Sequence, residues 1–252
     1  MTPLKALLSL LLIPLTLLTV TAQNSRSHTA SEYYNRGNDR QKQGDLNGAI
    51  QDYTFAITFD AKFALAWNNR GVAHYLKGEL DQALADCTRA IELRPTYAEA
   101  WNNRGNARHD TGDLDGAIAD FDEAIRLNPR YTTAFHSRGN ARQARRELDG
   151  AISDYSRAIE LNQQFAAAWH NRGTARQSKG DLVGAMADFN QAIKLNPRRA
   201  TSFAHRGLVH LLLGRTGEAE RDFAECLRLD PRLKSSLEAR ISEARNQRAA
   251  MH

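Results

Sequence analysis

An all-α solenoid, made of six helix-turn-helix repeats and a C-terminal capping helix, is predicted by three features of this chain. A 34-residue phrase recurs six times without a gap, at residues 30–63, 64–97, 98–131, 132–165, 166–199 and 200–233. Small residues hold fixed places in it: glycine at the eighth position (Gly37, Gly71, Gly105, Gly139, Gly173, Gly207) and alanine at the twentieth (Ala49, Ala83, Ala117, Ala151, Ala185, Ala219). No segment alternates apolar and polar residues with the period of two that a half-buried strand requires. A fixed period of this length marks stacked supersecondary units, each too small to bury its own apolar face.

The elements follow in order. Residues 1–22 read as a secretory signal peptide: Lys5 gives a positive start, residues 6–20 are mostly apolar, and Val20-Thr21-Ala22 offers small residues for cleavage after Ala22. The competing reading is an uncleaved membrane anchor, but Ser9, Pro14, Thr16 and Thr19 interrupt a run shorter than the ~20 apolar residues of a span. No cysteine follows to carry a lipid. Residues 23–29 form a linker. An exported, periplasmic or secreted protein with no stable membrane span after cleavage is expected.

The third copy shows the repeat most plainly. Trp101, Gly105 and Ala107 fall at helical spacing in a first helix, which Gly112-Asp113 breaks. Asp113 is placed to cap a second helix through Leu114, Ala117, Ile118, Phe121, Ala124, Ile125 and Leu127, one apolar face at three- and four-residue steps. Asn128-Pro129 ends it. Glycine in a helix interior costs about 1 kcal/mol relative to alanine, so its recurrence at position 8 points to a close approach of two helices, with alanine at positions 20 and 27 keeping the facing surface low. Beyond residue 233, Ser235 and Glu238 form a capping-box signal, and Leu237, Ile241 and Ala244 make one narrow apolar stripe. Residues 234–252 therefore read as a helix that covers the last repeat on one side and meets water on the other.

Trp101, Gly105, Ala117, Phe121 and Pro129, and again Trp169, Gly173, Ala185, Phe189 and Pro197, stand at the spacings of the tetratricopeptide repeat. Over residues 30–233 the chain resembles that family. The resemblance implies a right-handed superhelix of antiparallel helix pairs, whose first helices line a concave groove that takes a peptide or partner protein. The carboxylate clamp of some family members is not matched, because its basic places hold Tyr34, Glu99 and Asn103.

The copies depart from the family pattern at two places. Position 7 is arginine in every copy (Arg36, Arg70, Arg104, Arg138, Arg172, Arg206), and position 23 is aspartate in every copy (Asp52, Asp86, Asp120, Asp154, Asp188, Asp222). Two positions that change together read as structural ion pairs, between the helices of one repeat or of neighbours; the other reading has the arginines binding an anionic ligand.

The net charge of +5 excludes little. Residues 198–252 hold 11 basic and 7 acidic side chains, which leaves 23 and 22 for the rest, so no basic stripe marks a nucleic-acid surface. Cys87 and Cys226 lie in the second and sixth repeats, too far apart for a disulfide, and read as small buried hydrophobes. No catalytic constellation, cofactor motif or metal-ligand spacing stands out, so a non-enzymatic protein is expected. His136 and His170 share position 5 on adjacent first helices, which suggests either a two-ligand metal pair or solvated groove residues.

The groove offers more. Position 6 carries Asn35, Asn69, Asn103 and Asn171, with Ser137 and His205 in the remaining copies. Position 9 adds Asn38, Asn106 and Asn140, and position 5 adds Asn68 and Asn102. Asparagine has both donor and acceptor atoms, so a stacked row can bracket the N–H and C=O of an extended peptide; otherwise it is a tolerated polar residue of the Asn-Arg-Gly idiom. The row is similar to the asparagine ladder in the tetratricopeptide domain of O-GlcNAc transferase. The expected function is a scaffold or adaptor binding a peptide or protein partner in the concave groove, with homo-oligomerisation left open. The alternative is a binder of an anionic polymer, such as a cell-wall or surface polysaccharide, through the position-11 arginines Arg40, Arg108, Arg142 and Arg176 and the basic C-terminal end.

Overall fold

The computed structural model describes residues 29–250, so the signal-peptide reading and residues 23–28 of the linker lie outside the described residues. Twelve helices come in pairs: α1 (Ala30–Lys42) and α2 (Leu46–Phe59), α3 (Ala64–Leu76) and α4 (Leu80–Leu93), α5 (Ala98–Asp110) and α6 (Leu114–Leu127), α7 (Thr132–Ala144) and α8 (Leu148–Leu161), α9 (Ala166–Ser178) and α10 (Leu182–Leu195), α11 (Ala200–Leu212) and α12 (Thr216–Leu229). A short 3₁₀ turn (Pro231–Leu233) leads into α13 (Lys234–Ala250), and no strand occurs among the described residues. Each helix packs on its pair partner and on the first helix of the next pair. Consecutive first helices also touch one another, whereas consecutive second helices do not pack together, so the first helices line the inner, concave face. The arrangement is an α-solenoid.

Local chemistry sets the pair geometry. Asp45, Asp113 and Asp181 cap their second helices by accepting the backbone N–H of Gly48, Gly116 and Gly184 at 2.9, 3.0 and 2.9 Å. The turn before each cap needs a left-handed residue, supplied by Gly44, Gly78, Gly112, Gly180 and Gly214; in the fourth repeat Arg146 takes that place at φ 63°. Thr29, read as the end of a linker, is the N-cap of α1 in a capping box with Glu32. At the other end Asp230, not Ser235, supplies the cap: its side chain accepts the Arg232 N–H at 3.1 Å, and α13 runs straight on from the 3₁₀ turn with Ser235 inside its first turn.

The position-8 glycines face the large side chain at position 24 of the same repeat, and not a low alanine surface. A Cβ on Gly105 would lie 2.7 Å from Phe121 Cε1; Tyr53, Tyr155, Phe189 and Phe223 crowd their glycines in the same way, and Cys87 Sγ does so at Gly71. The rings of Tyr53, Phe121, Tyr155 and Phe189 are fully buried, so they have nowhere to retreat.

One carboxylate sits under each helix crossing. Asp52, Asp86, Asp120, Asp154, Asp188 and Asp222 are 0 to 5% exposed, and each receives two hydrogen bonds from the position-7 arginine of its own repeat. In the third repeat Arg104 Nε and Nη2 reach Asp120 Oδ2 and Oδ1 at 2.9 and 2.7 Å. The remaining Nη1 turns back to position 25 of the preceding repeat, where it meets Thr54, Thr88, Asp122, Ser156 or Asn190 at 2.5 to 3.3 Å. The same guanidinium lies 4.7 to 5.6 Å from the centre of the position-4 aromatic ring. A second basic side chain stands by each carboxylate: Arg40, Arg108, Arg142 and Arg176 lie 3.3, 3.0, 2.8 and 2.9 Å from the aspartate, and the imidazoles of His74 and His210 lie 3.9 Å away in the other two repeats.

Cys87 and Cys226 are free and buried. The core is a chain of small clusters along the stack, ending in a larger one where Leu208, Leu211 and Phe223 meet Leu237 and Ala244 of α13. Gly105→Ala should lower stability by about 1–3 kcal/mol through overpacking against Phe121, despite alanine's better helix propensity; a denaturant melt with an unchanged or higher midpoint would contradict the ring contact.

Candidate functional site

The concave face is built from positions 6, 9 and 12 of the first helices, with position 5 in the wall behind them. Its asparagines bond to one another across repeats. Asn69 Nδ2 donates to Asn38 Oδ1 at 2.8 Å and to Tyr34 OH at 3.1 Å. Asn171 repeats the motif three units on, with Nδ2 2.8 Å from Asn140 Oδ1 and 3.0 Å from His136 Nε2. In both places the position-9 carbonyl also accepts the hydroxyl of the buried position-24 tyrosine, Tyr53 or Tyr155, at 2.9 Å. Asn68 Nδ2 lies 3.0 Å from Asn69 Oδ1, and Asn103 Nδ2 lies 3.0 Å from Asn68 Oδ1.

These bonds divide the row chemically. Asn69 and Asn171 have both amide protons engaged, so they offer a groove occupant acceptor oxygens only. Asn35 and Asn106 have no side-chain partner among the described residues, and Asn103 has one amide proton left over, so these three keep donors. In repeats 1 to 3 the row therefore offers an occupant the amide protons of Asn35, Asn103 and Asn106, and from Asn69 only the oxygen. Asn102 and His170 are buried at 2 and 5% exposure and belong to the wall; position 5 points between the helices, where Asn102 Oδ1 has no partner. His170 Nδ1 lies 3.0 Å from Ser202 Oγ, so it is no solvated groove residue. His136 is half-buried, its ring 4.8 Å from that of Phe165. Among the described residues no group of three His, Cys, Asp or Glu side chains could hold a metal ion.

The position-11 arginines, read as cations for a polymer, are taken up by the buried aspartates of their own repeats. Two arginines missed in the sequence lie at the C-terminal end of the groove. Arg199 occupies the position-34 place that Phe63, Tyr97, Tyr131 and Phe165 fill in earlier repeats, and Arg240 reaches in from α13. The signal for Arg199 was its departure from an aromatic position; Arg240 lies outside the repeat, so periodicity could not place it.

Burial lowers the pKa of His170 to about 3, with Arg199 and Arg240 adding to the effect, and that of His136 to about 4, again with Arg199. An ordinary imidazole titrates near 6.5. Above that pH the folded and unfolded chains both hold these rings neutral; as pH falls from about 6.5 towards the folded values only the unfolded chain takes the proton, so stability declines in that window. His170→Asn should remove up to about 2 kcal/mol of the stability lost between pH 7 and pH 5. Urea melts at the two pH values check this, and an equal loss in both proteins would contradict it.

Comparison with known proteins agrees with this architecture. The family description "Tetratricopeptide repeat" matches residues 64–97, 98–131, 166–199 and 200–233, and "TPR repeat" matches residues 37–78. A comparison with curated proteins finds no match. Among solved structures, MamA is 24% identical with a TM-score of 0.59, over 66% of this chain and 96% of its own. YrrB, described as a TPR protein with an unusual peptide-binding site, is 23% identical with a TM-score of 0.60, over 74% of this chain and 96% of its own. PilW, described as a widely conserved type IV pilus biogenesis factor, is 20% identical with a TM-score of 0.75, over 83% of this chain and 97% of its own. At these identities the likeness is one of fold. With six helix pairs, and family descriptions that match residues 37–131 and 166–233, the chain belongs to the tetratricopeptide repeat family.

Proposed function

We propose that this protein is an exported, non-enzymatic scaffold whose concave face holds an extended segment of a partner protein. The observation that carries the reading is the row of amide groups with unspent hydrogen-bonding atoms on the inner helices: Asn35, Asn103 and Asn106 can meet peptide carbonyls, while the oxygens of Asn69 and Asn171 can meet peptide N–H groups. First helices pack about 8 to 10 Å apart and an extended chain rises about 3.3 Å per residue, so one row contact falls every third residue or so. Such a groove holds backbone and is tolerant of side chains. The cross-repeat bonds fix Asn69, Asn103 and Asn171 in advance, which lowers the ordering cost of binding at those places. Export rests on the N-terminal sequence; among the described residues no helix is long and apolar enough to cross a membrane.

Binding of an anionic polymer is less favoured, because its groove cations already hold carboxylates. The remaining candidates for it are the arginines of the C-terminal end.

Peptides selected from a random display library on the immobilised full chain, then measured by calorimetry, test the reading. Replacing Asn35, Asn103 and Asn106 together by alanine should weaken a selected peptide by roughly tenfold or more, since each lost hydrogen bond is worth about 0.5–1.5 kcal/mol. Binding of a selected peptide that lacks acidic residues and ends in an amide should change little between low and high salt. Unchanged affinity in the triple variant, or binding abolished by salt, would count against the groove.

A further inference from the structure

At the C-terminal end the groove deepens into a cleft of about 530 Å³ between α9, α11 and α13, with His170, Asn171, Gln177, His205 and Arg240 in its lining. Its charge is unbalanced. Nη2 of Arg240 lies 3.1 and 3.2 Å from the two ring nitrogens of His205, and no carboxylate stands within 4 Å of this guanidinium among the described residues. Glu243, on the same helix, acts on it only from further away. Arg199, close by, has Thr201 Oγ1 at 3.3 Å as its side-chain partner and likewise no carboxylate within 4 Å. Burial lowers the pKa of both arginines, and both cations bear on His170 and His205, whose pKa values burial has already driven down.

This departs from the rest of the molecule. All six position-7 arginines have a buried aspartate, whereas the half-buried Arg240 and Arg199 have no carboxylate within 4 Å among the described residues. The cleft supplies donors beside the unpaired cation. Gln177 turns Oε1 to His205 Nδ1 at 3.0 Å and so keeps both amide protons for another acceptor. A single guanidinium lines the cavity, and its planar fork fits the two oxygens of a carboxylate.

We propose that this cleft binds a carboxylate of the partner segment, with Arg240 taking its two oxygens and the Gln177 amide donating alongside, so that the end of the groove closed by α13 selects an acidic end. The carboxylate is the partner's C-terminus or an Asp or Glu side chain near it. The inference rests on the groove reading for how that segment arrives, and it names what anchors it.

The test is a titration of the full ¹⁵N-labelled chain, followed through the Arg240 Nε–H and imidazole signals. Three probes are used: N-acetyl-pentaalanine with a free carboxyl end, its C-terminal amide, and the amide carrying an aspartate in the penultimate place. The free acid, the aspartate peptide or both should shift these signals saturably, with Arg240→Gln weakening that binding about tenfold or more; the plain amide should be weaker than the binder by a similar factor. Which acidic probe binds identifies the source of the carboxylate. The unbound Arg240→Gln protein should keep or raise its Tm, because the variant removes a half-buried cation that has no carboxylate within 4 Å.

Equal binding of the plain amide and both acidic peptides would overturn the proposal while leaving the groove reading intact. Absence of any shift at Arg240 with all three probes would overturn it too, as would a lower Tm for Arg240→Gln, which would make the guanidinium a structural brace. These short probes do not reach Asn35, Asn103 and Asn106, which lie two or more repeats from the cleft, so the triple variant should bind them as wild type does, and the library peptides test the groove separately.

Discussion

The position-23 aspartate of each repeat lies beneath the helix crossing with almost no solvent contact, a place where a carboxylate is tolerable because the position-7 arginine pairs with it and, in four repeats, a second arginine joins. The position-7 arginine does three things at once there. Its Nε and Nη2 grip the aspartate of its own repeat, its Nη1 reaches the preceding repeat, and its face lies over the position-4 ring. One side chain thereby ties the crossing angle within a pair to the spacing between pairs. Trp67, Trp101 and Trp169 add a second tie, each donating its indole N–H to a backbone carbonyl of the preceding repeat's loop at 2.9 to 3.0 Å.

The concave face inherits its regularity from this network. Asn69 reaches Asn38 and Asn171 reaches Asn140 because successive first helices are held at one separation and one rotation. A shift of an ångström between repeats would break these amide bonds and turn the free donors and acceptors to different heights. At the C-terminal end the pattern changes: an aromatic place becomes Arg199, Leu208 and Leu211 join the core, and α13 packs chiefly against α11. The stack is covered there, and its charge balance is lost in the same place.

Much of this architecture was legible in the sequence, for a physical reason. A repeated unit samples the same environment six times, so Gly105 and its equivalents, or Arg104 with Asp120, reveal a shared constraint that a single copy would hide. What period alone leaves open is direction. It could not tell whether the arginine meets the aspartate of its own repeat, nor that position 11 would share that carboxylate, because side-chain reach is not a matter of spacing. The partner of Gly105 was placed on the alanine surface, but the ring of Phe121 fills that space. The asparagine row was visible as polar residues on one face, while the engagement of the Asn69 amide, and the burial of Asn102 and His170, depend on how neighbouring helices rotate. Departures from the period were harder still. Arg146 in a glycine's turn, Thr29 and Asp230 as caps, and Arg240 on α13 each occur once.

The dependence of the stack on its buried ion pairs is measured most directly by a double-mutant cycle on Arg104 and Asp120, using Arg104→Met, Asp120→Asn and the double variant in denaturant melts. Close partners in one network couple by about 0.5–3 kcal/mol, and this bidentate, buried pair should fall at the upper end, with each single variant costing more than its share of the double. A coupling indistinguishable from zero, with the two losses simply adding, would show that the helix pairs stack without the clasp and would contradict the account.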